Sequence, residues 1–246
     1  MNLLLVDASE LAGDTVTLAA GDRRAVHLRD VLGVHVGSQL RAGIVGGATG
    51  TAEVVADAGT LVLRLALTEP ARAPLPIELV LAVPRPKVLT RTVEAAAAFG
   101  IERITLTNAW RVDKSYLRSP RLAPDALALA ARLGAEQGGV SQLPAIATYE
   151  RLMAMLDARW PNADPSCLAL IAHPGAPPIE RAVTDPQRPI ALAIGPEGGW
   201  IAREVETFVS RGFTPVALAP TILRVETAVA AALGQLVLLR RQGTSV

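Results

Sequence analysis

Apolar positions change their rhythm once along the chain. Up to residue 69 they come in short alternating or clustered runs: Leu3 to Val6, Thr15 to Leu18, Gln39 to Ile44, Gly50 to Val55 and Thr60 to Leu67. Gly and Asp punctuate them, so short strands of a small β-barrel are expected, with one helical turn over His27 to Leu32. Glu69 to Pro76 (EPARAPLP) reads as a proline-rich linker. From Ile77 onward, apolar strand-like runs alternate with helical segments. The strands are expected at Ile77 to Val83, Ile101 to Thr107, Ser166 to Ala172, Ile190 to Ile194 and Pro215 to Ala219. Helices are expected at Val88 to Phe99, Ala123 to Gln137, Tyr149 to Ala158, Ala202 to Arg211 and Val225 to Leu239. That βαβ rhythm predicts a mostly parallel sheet flanked by helices. The expected division is residues 1–70, a linker at 71–76, and 77–246.

The region 190–234 carries the strongest local signals. A buried-type strand ends in Gly195-Pro196-Glu197-Gly198-Gly199, and a second strand ends in Pro220-Thr221-Ile222-Leu223-Arg224. Loops at strand C-termini are where open α/β sheets bind ligands. Glycines there let the backbone approach a ligand closely. Neither GxxxxGK[ST] nor GxGxxG spacing is present, which argues against the common nucleotide-phosphate loops.

Composition narrows the classes. The 246 residues are half hydrophobic with a formal net charge of +1, so any nucleic-acid contact must use a local patch. The single cysteine, Cys167, suits a reducing compartment, and a cytoplasmic location is expected. His27, His35 and His173 lie far apart, so no metal is expected. No apolar run reaches the roughly 20 residues that span a bilayer. The N-terminal MNLLLVDASEL lacks a basic leader, so neither a signal peptide nor membrane insertion is expected.

GPEGG followed by ILRVETA resembles the C-terminal signature of the RsmE family, the 16S rRNA (uracil-1498-N3)-methyltransferases of the SPOUT class. The rest of the chain is similar more loosely, nearly end to end. The resemblance implies a SPOUT-type C-terminal α/β domain with a trefoil knot, preceded by a small PUA-like β-barrel that helps hold RNA. It implies S-adenosyl-L-methionine as methyl donor, 16S rRNA or the assembled small ribosomal subunit as partner, and a homodimer. The almost wholly apolar helix Val225 to Leu239 suits burial on several sides.

By position, the resemblance assigns three cofactor loops. His173, Pro174 and Gly175 form the first, and Gly195, Pro196, Glu197, Gly198 and Gly199 the second. The third holds Leu218, Ile222, Leu223, Arg224, Thr227 and Ala228. Uridine N3 must lose a proton, so a base or a stabiliser of the uridinate is needed. Arg224 is the candidate stabiliser, with Glu197 and Glu226 as candidates for positioning or proton removal. For RNA, Arg85 and Lys87 stand in a proline-framed loop. Arg111, Lys114 and Tyr116 stand in NAWRVDKSYLR, which resembles the WRVxKSYW loop of one family branch. Arg29 lies in the barrel. Glu136-Gln137 resembles the family's EQ motif. Gly33, Leu117 and Val140 depart from the family pattern and lower the basic and aromatic content of the expected RNA face. Those departures keep open a non-catalytic RNA-binding or ribosome-assembly module. Because the cofactor loops do not distinguish RNA targets, a SPOUT methyltransferase with another RNA target stays open as well.

Overall fold

A computed structural model describes residues 1–243; residues 244–246 of the expected second domain lie outside the described part. The chain divides into two compact units, Met1–Ala73 with Ala135–Leu143, and Pro74–Gly134 with Pro144–Val246.

The first unit is built on a six-stranded sheet, ordered β1-β4-β5-β6-β3-β2. Its strands are β1 (Leu4–Val6), β2 (Leu11–Ala12), β3 (Thr15–Leu18), β4 (Gln39–Ile44), β5 (Thr49–Ala58) and β6 (Thr60–Glu69), with helix α1 (Arg23–Asp30) between β3 and β4. Alternation decides which face is core: Leu61, Leu63 and Leu65 of β6 are buried while Thr60, Arg64 and Ala66 face out. Register shifts between β5 and β6 at Thr49/Gly50 and Val54/Ala56 increase the local twist of the sheet. The helical turn expected at His27 to Leu32 begins four residues earlier, because Asp22 caps it by accepting from the Arg24 amide at 2.8 Å.

The second unit carries an all-parallel sheet ordered β12-β10-β11-β7-β8-β9. Its strands are β7 (Leu75–Ala82), β8 (Ile101–Thr107), β9 (Ala145–Tyr149), β10 (Leu168–Ala172), β11 (Ile190–Ile194) and β12 (Thr214–Val216). The helices are α2 (Pro86–Ala98), α3 (Pro124–Gly138, whose residues from Ala135 on group with the first unit), α4 (Leu152–Arg159), α5 (Ile179–Ala182), α6 (Ala202–Ser210) and α7 (Val225–Gln242). Strand β11 is buried throughout, as its unbroken apolar run requires at the centre of a parallel sheet. Helix α7 packs against α2.

One expectation needs correction, and one segment groups differently from its place in the sequence. Tyr149, expected to open a helix, ends strand β9 at the sheet edge. Its AIATY sequence has only small or half-buried side chains, too weak an apolar signal to read as a strand. Segment 135–143, expected in the second domain, groups with the first unit. Glu136 is 1% exposed and takes both oxygens to the Arg23 guanidinium at 2.9 Å. Its carbonyl accepts from the amides of Asn2 and Leu3, and Ser141 donates to the Gly47 carbonyl at 2.7 Å. The Glu-Gln motif is therefore a structural clamp within that unit.

Candidate active site

Because every strand pair in the second sheet is parallel, the strand C-termini share one edge, and the loops leaving them meet there. They enclose a cavity of roughly 740 Å³, within the usual range for a small-ligand site. His173 and Pro174 follow β10, Gly195 to Trp200 follow β11, and Leu218 to Arg224 follow β12; all of these except Pro220 line it. Val225, Glu226 and Ala228 add the first turn of α7, Val88 adds the first turn of α2, and Arg85 and Arg111 add side chains from the loops after β7 and β8. Apolar walls with a few polar groups are what a bound heterocycle needs for both burial and orientation.

The turn 195–199 is held from several sides. Gly199 has φ +70°, a conformation that glycine adopts without strain, and its amide donates to the Pro196 carbonyl at 2.7 Å. A Cβ on Gly198 would meet the Arg111 side chain at 3.0 Å, so the Arg111 stem crosses bare backbone. The Arg111 guanidinium donates to the Gly198 carbonyl at 2.5 Å. Glu197 Oε1 accepts from the Arg85 amide at 3.0 Å, which places a carboxylate at the N-terminus of α2, where the helix dipole favours negative charge. Trp200 closes the turn from below. Its ring meets Phe208 edge-on at 5.0 Å, Phe208 meets Phe213 at 4.9 Å, and Phe213 meets Trp160 at 5.1 Å. Half of the eight aromatic residues in the chain are thus spent supporting one loop.

The other two loops are fixed by different means. The His173 amide donates to the Val216 carbonyl at 2.9 Å, joining the first loop to β12, and His173 Nδ1 lies 2.8 Å from the Pro174 carbonyl. Gln235 of α7 donates to the Leu218 carbonyl at 2.8 Å, locking the third loop onto the helix that follows it. Arg224 sits at the N-cap of α7 with its side chain exposed and no hydrogen bond or ion pair from its guanidinium among the described residues. Glu226, in the first turn of the same helix, is half-buried.

Most of the expected cofactor and catalytic residues meet in this cavity, and so do Arg85 and Arg111 from the expected RNA set. Gly175 and Thr227 lie outside its lining; Gly175 makes the tight turn behind His173 with φ +80°, and Thr227 points to solvent. Lys87 and Lys114 are exposed but do not line the cavity. Tyr116 is half-buried and packs on the core, whereas Trp110 of the same loop is 78% exposed. Arg29, in the first unit, is paired with Asp57 at 2.5 Å. Sequence reasoning missed Glu204 and Gln235. Both look like ordinary helix residues, and only the fold brings their polar ends to the cavity loops. No group of His, Cys, Asp or Glu able to hold a metal occurs among the described residues, and no helix there is long and apolar enough to cross a membrane.

A parallel sheet with a lined cavity at its C-terminal edge defines a ligand-binding α/β domain, and comparison with known proteins makes the class specific. Residues 71–237 match the family model described as RNA methyltransferase domain. The chain therefore belongs to the RNA methyltransferase domain family, the RsmE family that its motifs resemble. Among curated proteins it is similar to ribosomal RNA small subunit methyltransferase E of Treponema pallidum, 27% identical over 94% of this chain and 89% of that one. Among solved structures it resembles a ribosomal RNA small subunit methyltransferase E from Neisseria gonorrhoeae bound to S-adenosyl methionine. That match has a TM-score of 0.75 at 22% identity and covers 97% of this chain and 98% of that one. A putative methyltransferase from Legionella pneumophila, in complex with the same cofactor, matches with a TM-score of 0.77 at 24% identity, covering 97% of each chain.

Proposed function

We propose that the protein transfers a methyl group from S-adenosylmethionine to N3 of a uridine in small-subunit 16S ribosomal RNA. The observation that carries this reading is the meeting of the loops after β10, β11 and β12 in one cavity with an unpaired Arg224 at its rim. The cavity fits the cofactor by the chemistry of its walls: Leu218, Leu223 and Ala228 offer apolar surface for an adenine, and the glycine-rich turn offers bare backbone for its polar edges. When bound, S-adenosylmethionine supplies an electrophilic methyl on a sulfonium.

The chain's own work is orientation and charge. Holding nucleophile and methyl in line is worth several kcal/mol by avoided entropy loss. As N3 loses its proton, negative charge develops on the uracil oxygens. A guanidinium held at the helix N-cap, free of any carboxylate partner, is placed to stabilise it. Glu226 and Glu197 line the same cavity as candidates for positioning or proton removal, and one oxygen of Glu197 accepts from the Arg85 amide. Arg85, Lys87 and Lys114 serve phosphates around the cavity, and the exposed Trp110 offers the stacking surface a flipped base needs. Arg29 serves RNA only if it is shared with Asp57. The trefoil knot, a homodimer through α7 and a cytoplasmic setting belong to the same reading. Thr227, Ala230 and Leu238 form part of the exposed face of α7 that such a dimer would cover.

The test is methyl transfer from labelled S-adenosylmethionine to small ribosomal subunits from a strain lacking this modification, with the product nucleoside identified by mass spectrometry. N3-methyluridine at a single position is expected. Label on another base or in another RNA would replace the assigned target. Cofactor binding and transfer both absent would favour a non-catalytic RNA-binding module.

A further inference from the structure

We infer that Arg111 and Glu204 are positioning residues that make RNA binding and cofactor binding depend on one another; the inference rests on the function proposed above. The loop after β8 carries the exposed Trp110, and the turn after β11 forms a wall of the cofactor cavity. Two independent ties join them. Arg111 Nη1 donates to the Gly198 carbonyl at 2.5 Å, and its aliphatic stem lies on Gly198 so closely that a Cβ there would meet Arg111 Cδ at 3.0 Å. Glu204, 8% exposed, accepts from the Trp110 amide through Oε1 at 2.7 Å and from the Ile201 amide through Oε2 at 3.0 Å.

The second oxygen of Glu204 is the informative one. A glutamate at the third position of a helix needs a single bond back to the residue before the helix in order to cap it, and the Ile201 contact supplies that bond. The bond to Trp110 reaches a residue 94 positions away and adds nothing to α6. It pins the backbone of a residue whose side chain stays in solvent. Losing it would leave a buried carboxylate oxygen without a partner, so the loop and the turn are held as one body. A ligand that fixes Gly198 therefore also fixes how Arg111 and Trp110 are presented. RNA that stacks on Trp110 and draws on the Arg111 cation acts back on the same turn. Such coupling is reciprocal by thermodynamic necessity.

The test is titration of wild type, Arg111→Met and Glu204→Gln with small-subunit ribosomal RNA, with and without saturating S-adenosylhomocysteine. Wild type is expected to bind RNA at least about fivefold more tightly with the cofactor product present, the lower end of common coupling strengths. In Arg111→Met, which also removes a cation that RNA draws on and so weakens RNA binding by itself, that ratio is expected to fall toward one. Glu204→Gln, which removes one acceptor and keeps the volume, is expected to do the same; thermal melting checks that it folds. A merely structural role would weaken cofactor binding and leave the ratio unchanged, and that result in Arg111→Met overturns the inference. So does a wild-type ratio of one when both ligands bind. Wild type that binds neither ligand would instead remove the proposed function, and this coupling with it.

Discussion

Two regions, the surroundings of α1 in the first unit and the cavity edge of the second, use their cations in opposite ways, although elsewhere in the second unit Arg159 pairs with Glu78 and Arg211 with Asp157. In the first, each arginine near α1 is tied to carboxylate: Arg23 to Glu136, Arg24 to both Glu10 and Asp22, and Arg29 to Asp57. In the second, Arg85, Lys87, Lys114 and Arg224 stand around one sheet edge with no carboxylate within ion-pair distance among the described residues. Partnered cations hold a fold together, because separating them leaves a buried charge uncompensated. Unpartnered cations keep their field for something outside the chain. A net charge of +1 therefore conceals a local asymmetry, and that asymmetry separates the scaffold from the surface proposed to meet RNA.

The largest effect that would break this contrast is at Arg24. Its guanidinium is nearly buried and also donates to the Leu5 carbonyl at 3.1 Å. Arg24→Met should destabilise the first unit by about 3 kcal/mol, the lower end for breaking a buried pair, because Glu10 and Asp22 keep some solvent. Urea denaturation followed by exchange of the first-unit amides checks it. The same network has a pH signature. The Arg24 side chain holds the Asp22 carboxyl below its ordinary value of 3.8. A depressed folded pKa means the contribution is present above the ordinary value and is lost as pH falls through the folded one. Acid unfolding of the first unit should therefore begin below about pH 4, and in Arg24→Met this acid-linked part of the loss should be gone.

Next comes the second unit's own cation. Arg224→Ala should cut methyl transfer by about two to three orders of magnitude, the usual loss for one stabilising donor, with an unchanged melting temperature because the side chain is exposed and unpaired. Smaller effects sharpen the contrast. Lys87→Ala and Lys114→Ala should each lower the salt slope of RNA binding by about 0.7 while sparing cofactor affinity. Arg29→Ala should change that slope least, since its charge is already spent on Asp57. Equal slopes for all three would show that pairing does not decide which cations meet RNA. The oligomer reading is checked by light scattering at micromolar concentration, where a homodimer mass is expected and a monomer mass contradicts it.

Legibility in the sequence followed the same division. The strands Thr15–Leu18, Gln39–Ile44, Ile101–Thr107 and Ile190–Ile194 fall where their apolar runs place them, because burial on one or both faces writes itself into local sequence. GPEGG and the third loop could be read as a site because glycine and proline mark strand ends. What stayed hidden was long-range. Glu136 looks like a surface glutamate until Arg23, 113 residues earlier, folds onto it. Glu204 reads as a helix cap until its second oxygen finds Trp110. Arg111, expected on RNA, lies along Gly198 because that glycine leaves room for its stem, a fit no spacing rule encodes. Strand β9 failed to register because an edge strand of Ala, Ile and Thr buries too little to impose a pattern.

The central claim is that the unpaired Arg224 at the rim of the three-loop cavity drives methylation. Its most direct test compares wild type and Arg224→Ala for label transfer to unmodified small subunits, with cofactor binding measured on both. Wild type should produce N3-methyluridine at one position, while the variant binds cofactor and transfers almost nothing. Near-normal turnover by the variant would contradict the account and return the search for the stabilising group to the other residues lining the cavity.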